Sequence, residues 1–195
     1  MSNLVYGSPL GIPAEAVRVW QGSTFSGWQW EQELYDGSKA TFEALKRPDT
    51  AHTVGILPNE KILLIEDTQP ARETVITPAG GVVEVRESPA DAAQREFLEE
   101  TGYRIGTLVP WHTWRPSSKF DWTVWAYIGR DLTLAGPPAL EAGEKVRLLT
   151  YSFEEFLALG TEPNLRDLVI RIILLEAQLD ETKKEQLKKL LYGST

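Results

Sequence analysis

A chain of 195 residues, 42% hydrophobic and 25% charged, can bury one α/β core with a modest appendage and is too short for two full domains. Its 28 acidic against 20 basic residues give a formal charge of −8, which argues against wrapping a nucleic-acid backbone, and the lack of cysteine removes disulfides, thiolate metal sites and a Cys nucleophile. No apolar run approaches the roughly 20 residues of a membrane-spanning helix, and Met1 to Pro13 lacks a basic flank with an apolar stretch, so the expectation is a cytoplasmic protein whose partner is neither nucleic acid nor membrane. A small phosphorylated substrate fits an acidic protein only if divalent cations bridge the two, which directs the search to clustered carboxylates.

From Val17 to Lys46 aromatic and polar residues alternate around Tyr35-Asp36-Gly37-Ser38, whose Asp-Gly favours a tight turn. This predicts an antiparallel β-hairpin appendage over residues 1–48, ahead of a main domain over 49–195. Thr53 to Leu57 and Lys61 to Glu66 read as two strands joined by Pro58-Asn59-Glu60. Ser88 is a helix cap followed by Pro89 at the first helical position and Asp91 in the first turn, and Gly102 ends the helix. Trp122 to Ile128 is a strand closed by Gly129. Val146 to Tyr151 is another, followed by the capping box Ser152-Phe153-Glu154-Glu155 and a short helix stopped by Gly160. Leu168, Ile172, Leu175 and Leu179 recur at helical spacing, so Asn164 to Leu191 is one long or two consecutive helices, and the basic residues Lys183, Lys184, Lys188 and Lys189 read as its solvated face. The order of elements predicts an α/β fold with a mixed sheet.

The chemistry concentrates in GVVEVRESPADAAQREFLEETGY, Gly81 to Tyr103. On a helix Glu96 and Glu100 are one turn apart, with Glu99 beside them, so three acids converge on one face. Carboxylates about 6 Å apart repel by roughly 2 to 3 kcal/mol per pair at an effective dielectric of about 20, a cost that solvent or bound cations offset. Mg²⁺ suits such a site, because it takes oxygen ligands and keeps positions open for water and phosphate. A Glu-Glu pair alone is explained by a solvated acidic helix. Seven fixed positions, Gly81, Glu87, Arg95, Glu96, Glu99, Glu100 and Gly102, match by chance with odds on the order of one in a million.

That stretch resembles the signature of the Nudix hydrolase superfamily, with Phe97 and Tyr103 in its apolar places. The resemblance implies an α/β/α sandwich and a pyrophosphohydrolase that uses Mg²⁺, with Mn²⁺ able to substitute. It implies metal ligands from Glu96, Glu99, Glu100 and the Gly80 carbonyl, with Glu99 and Glu100 counted as catalytic. It also implies that Glu87 and Arg95 pair to hold loop against helix, with Gly81 and Gly102 as structural positions. Glu144, just before the strand at Val146, is the candidate general base, ranked over Glu141.

From about Val17 to Phe156 the chain looks like the ADP-ribose and ADP-sugar pyrophosphatase branch. In that branch aromatics at the places of Trp28 and Phe42 stack on the base, and the appendage packs between two subunits, which implies a homodimer. Many members carry Arg near the position of Gln69. Gln69 lacks that charge and Arg72 is close enough in sequence to replace it, while Lys119 in Pro116-Ser117-Ser118-Lys119-Phe120-Asp121 is placed to meet the terminal sugar or phosphate. The expected substrate is ADP-ribose or a related nucleoside diphosphate sugar. The rivals are a dinucleoside polyphosphate, a CDP-alcohol or an oxidised nucleotide, and a non-catalytic nucleotide sensor. His52 and His112 receive no role.

Overall fold

In the computed structural model, residues 11–140 and 142–193 are described. The chain opens with three antiparallel strands, β1 (Val17–Gln21), β2 (Ser26–Glu33) and β3 (Lys39–Lys46). Leu34 and Ser38 close the turn between the last two, and Gly37 there has φ 81°. The main sheet follows with β4 (Thr50–Ile56), β5 (Ile62–Thr68), β6 (Val75–Thr77) and β7 (Ala79–Val82), then helix α1 (Pro89–Thr101). After it come β8 (Tyr103–Arg104), β9 (Thr107–Trp114), β10 (Phe120–Asp121), β11 (Val124–Arg130), β12 (Thr133–Leu134) and β13 (Lys145–Tyr151). Helices α2 (Phe153–Ala158), α3 (Leu168–Leu179) and α4 (Glu181–Tyr192) end the described chain.

The main sheet runs β13-β5-β4-β11-β9, with β6 added beside β5 and β7 beside β4. Only β4 and β11 in that path are parallel, so the sheet is mixed, as the order of elements predicted. Both faces are covered, which is why β5 reads as the unbroken apolar run Ile62-Leu63-Leu64-Ile65 instead of alternating. Leu63 and Ile65 pack with Phe97 of α1 on one face. Ile62 and Leu64 pack with Phe156, Ile170, Leu174 and Leu191 of the later helices on the other. The result is an α/β/α sandwich.

The caps act as the sequence predicts. Ser88 Oγ accepts from the Asp91 N–H, Gly102 takes the left-handed conformation at φ 75°, and the Ser152–Glu155 capping box is formed. Asp180 separates α3 from α4: it is the last cap of one and the first of the other, accepting from the Thr182 and Lys183 N–H groups. The Asn164–Leu191 segment is therefore two helices, and its first residues are not helical but stitched to β6, with Ile76 N–H donating to Asn164 and Arg166 N–H to Ile76.

Three expectations need correction. Thr107–Trp114 is a strand the sequence reading left out, and it carries Pro110, which cannot donate to a ladder. It survives as the edge of the sheet, where the register skips Trp111 in a bulge: His112 faces Ala126 and Pro110 faces Tyr127. Gly129 does not close its strand, which begins at Val124 and runs to Arg130. An added Cβ at Gly129 would sit 3.1 Å from Ile105 and Thr53, so that glycine marks close packing. Gly160 likewise lies inside a 3₁₀ turn, Leu159–Thr161, pressed against Leu175 of α3.

The hairpin sheet gains a fourth strand from the main domain, since β10 pairs in parallel with β3 through Phe120 opposite Leu45 and Asp121 opposite Lys46. Arg47, at the end of β3, lies over the rings of Trp122 (4.5 Å) and Phe25 (5.5 Å). Among the described residues no helix is long and apolar enough to cross a membrane.

Candidate active site

The acidic face of α1 meets β7. Glu100 is 7% exposed, and its Oε2 accepts the Gly80 N–H at 2.6 Å. Gly80 has φ 154°, and a Cβ there would run into the Ala51 carbonyl oxygen. Gly81 makes room on the other side: a Cβ would lie 2.5 Å from Glu96 Oε1 and 2.7 Å from Oε2. Two adjacent glycines thus let backbone approach two carboxylates of one helix.

Arg95 holds this arrangement. Its Nε and Nη2 make a two-pronged pair with Glu87 (2.9 and 3.0 Å), Nη2 also donates to the Val82 carbonyl, and Nη1 donates to Glu96 (2.8 Å) and Glu99 (3.1 Å). The guanidinium hydrogen bond holds Glu87 below the usual carboxylate range, and the carboxylates hold Arg95 above its own, Glu87 first.

The other acids are pushed the opposite way. Burial raises Glu96 in spite of Arg95, and the charges of Glu99 and Glu144 add to the rise. Burial raises Glu100 to about 8; the Gly80 hydrogen bond opposes this, and the charges of Glu96, Glu144 and Asp67 reinforce it. Glu144, on the loop before β13, is therefore near enough for its charge to act on both. Glu141 lies outside the described residues.

Among the described residues, no three acidic or histidine side chains form a ready-made metal cage. Glu96 and Glu99 turn onto one nitrogen of Arg95, and Glu100 turns onto Gly80. The donor chemistry nevertheless fits a hard divalent cation: the candidate donors are oxygens, and burial and neighbouring carboxylates raise both Glu96 and Glu100, so a cation between them would be favoured.

Gln69 and Arg72 come together with Asp67 and Arg166 around a cavity of about 290 Å³. Gln69 Nε2 donates to Asp67 Oδ2 at 3.3 Å, and Arg166 pairs with the same oxygen. Arg72 is close enough that its charge, after burial, lowers Arg47. Lys119 is exposed; its loop is anchored by backbone, the Leu45 N–H donating to the Lys119 carbonyl at 2.9 Å. Trp28 and Phe42 lie on adjacent strands but are not opposite each other. Trp28 faces Ala44 and donates to Ser26 Oγ, while Phe42 faces Trp30, ring centroids 6.1 Å apart. Sequence reasoning missed Asp67, Arg47, Arg166 and the buried His52. For Asp67 a signal existed, an acid closing the apolar run of β5.

A NUDIX domain family model matches residues 46–172. The chain belongs to the Nudix family. Members of the family generally use divalent metals, in keeping with the donor set on α1. An ADP-ribose pyrophosphatase from Bacillus subtilis (strain 168) is 24% identical over 172 residues, covering 87% of this chain and 93% of its own. A methanol dehydrogenase activator from Bacillus methanolicus is 26% identical over 157 residues, covering 79% and 85%. A crystal structure of an ADP compounds hydrolase superposes with a TM-score of 0.70 at 19% identity, over 87% of this chain and 94% of that one, which shows the fold. The chain is a Nudix hydrolase.

Proposed function

We propose that this Nudix hydrolase cleaves ADP-ribose or a related nucleoside diphosphate sugar at its phosphoanhydride bond, releasing a nucleoside monophosphate and a sugar phosphate. The observation that carries the reading is the pair of carboxylates on α1, the half-buried Glu96 and the buried Glu100, both raised by burial and framed by the Gly80–Gly81 backbone and Arg95. The substrate class is supported by the Bacillus subtilis ADP-ribose pyrophosphatase, which aligns along nearly the whole chain.

Glu96, Glu99, Glu100 and the Gly80 carbonyl would hold Mg²⁺, or Mn²⁺ in its place. When bound, the metal supplies neutralisation of the diphosphate and a more acidic water. The protein's own part is placement. Arg95 fixes the rotamers of Glu96 and Glu99, Gly80 fixes Glu100, and Glu144 accepts the proton of the water that attacks phosphorus in line. Arg72 and Arg166, which line one cavity with Asp67, would meet the phosphate oxygens.

The same reading has the protein as a homodimer. Val17, Val19 and Trp20 of β1 are 52 to 64% exposed, and Leu45, on the same face of the hairpin sheet as Val17 and Trp20, is exposed too, apolar side chains that a second copy would cover. Light scattering on the Val19→Glu variant tests this: a shift to monomer is expected, and an unchanged mass refutes it.

The function is tested by chromatographic product analysis with Mg²⁺ across ADP-ribose, other diphosphate sugars, dinucleoside polyphosphates, CDP-alcohols and oxidised nucleotides. AMP and ribose 5-phosphate from ADP-ribose are expected. Turnover confined to the other classes would overturn the reading.

A further inference from the structure

Asp67 is a buried carboxylate with no part in metal ligation or proton transfer. It lies near the end of β5, and its side chain is 8% exposed. Two donors from distant parts of the chain converge on one of its oxygens: Gln69 Nε2 donates to Oδ2 at 3.3 Å, and Arg166 Nη2 donates to the same atom. A buried ion pair is weak evidence of a stabilising role, since apolar residues of similar volume serve a core as well. Asp67 and Arg166 together therefore point beyond stability.

Arg166 is held from both sides. Ahead of it, the Ile76 N–H donates to the Asn164 carbonyl, the Arg166 N–H donates to the Ile76 carbonyl, and Leu165 between them is buried. Immediately after it, Asp167 caps α3 by accepting from Val169 and Ile170. A residue between a β-bridge and a helix cap has little backbone freedom left, and the contact with Asp67 removes much of the side chain's own. What remains is directed. The guanidinium lines the cavity of about 290 Å³, its side chain is 42% exposed, and among the described residues its Nε and Nη1 donate no hydrogen bond. Arg72 lines the same cavity but is exposed and forms no ion pair among the described residues. The pair stands beside the acidic site: Asp67 is in register with Val146, two residues past Glu144, and its charge acts on Glu100.

We propose that Asp67 is a positioning residue for hydrolysis, holding Arg166 so that the two unspent donors, Nε and Nη1, meet non-bridging oxygens of the substrate's diphosphate. The inference rests on the nucleoside diphosphate reading above, and it separates Arg166, which the fold aims, from Arg72, which no carboxylate holds. A planar guanidinium can keep Nη2 on Asp67 while its other edge makes a two-pronged contact with phosphate. An ammonium has no such fixed fork. Gln69 reaches the same Asp67 oxygen, so a guanidinium placed at position 69 would stand at the same point from the β5 side.

The test is the Mg²⁺-dependent kinetics of the full chain with ADP-ribose, joined by calorimetry of inorganic pyrophosphate binding in EDTA. Arg166→Gln should raise KM about tenfold, more than it lowers kcat, as expected for a contact made before the transition state. Arg166→Lys, the milder change should the first variant fold poorly, should recover less than half of that loss. Asp67→Asn should raise KM at least threefold without touching substrate, and adding it to Arg166→Gln should raise KM no further, because Asp67 acts only through Arg166. Gln69→Arg should lower the KM of Arg166→Gln at least threefold. Lowered Tm with KM within twofold of wild type in both single variants would make the pair structural and overturn the proposal. So would KM increases that multiply in the double variant, or no rescue by Gln69→Arg. Pyrophosphate binding weakened about tenfold by Arg166→Gln, without ADP-ribose turnover, would sink the substrate reading and leave the pair standing. Turnover of ADP-ribose with KM and pyrophosphate affinity indifferent to the variants would do the reverse.

Discussion

Replacing Glu100 by Gln should stabilise the metal-free protein while disabling it. Gln keeps an acceptor for the Gly80 N–H but carries no charge to desolvate. In the folded chain burial raises Glu100 from 4.5 to about 8, so the favourable contribution of the protonated carboxyl is complete below pH 4.5 and is lost as pH rises through 8. At about 1.4 kcal/mol per pH unit, the ionisable residue costs the fold roughly 3 kcal/mol at pH 7 and under about 1 kcal/mol at pH 5. The stability gap between Glu100→Gln and wild type should therefore widen by about 2.5 kcal/mol between pH 5 and pH 7, which is about 5 to 10 °C in Tm for a chain of this size. Thermal melts in EDTA at pH 5, 6, 7 and 8 read this directly. Parallel pH profiles for the two proteins would refute the argument. Adding Mg²⁺ should raise wild type selectively, because only the carboxylate gains from the cation.

The same shift predicts that Mg²⁺ binding at pH 7 displaces about 0.9 proton from Glu100, measurable by calorimetry in buffers of different ionisation enthalpy; no buffer dependence would contradict it. Gly81→Ala should leave the fold intact, since the new methyl meets the movable end of Glu96, yet lower kcat/KM on the order of 100-fold by displacing that carboxylate; Tm and kinetics together check both halves. Glu144→Gln should cost about 10² to 10⁴ in kcat with little change in KM, and a rate within threefold of wild type would remove it as the base.

The acidic helix was legible because its signal is local: a cap, a spacing of three and four, and a terminal glycine all sit within 15 residues. The groups on the other side of the site were not. Arg166 meets Asp67 across 99 positions in sequence, and His52 meets Asp167 only because β4 and α3 share a sheet face. No periodicity encodes such a meeting. Pro110 lies in an edge strand whose bulge accommodates it. Gly129 and Gly160 looked like terminators because sequence shows a missing side chain without showing what presses against it. For Trp28 and Phe42, strand identity was readable, but whether the two rings oppose each other depended on a register that places Trp30 across from Phe42.

Arg95 gives the metal-free protein an unusual steadiness. One nitrogen of a group that does not lose its proton at physiological pH serves Glu96 and Glu99 together, while its other arm is locked to Glu87. Loading a cation is then an exchange of counter-charges on a finished scaffold, unlike a zinc finger, which must fold around its ion. Chelation followed by re-addition should restore activity at the speed of ion diffusion and ligand exchange, with no refolding lag.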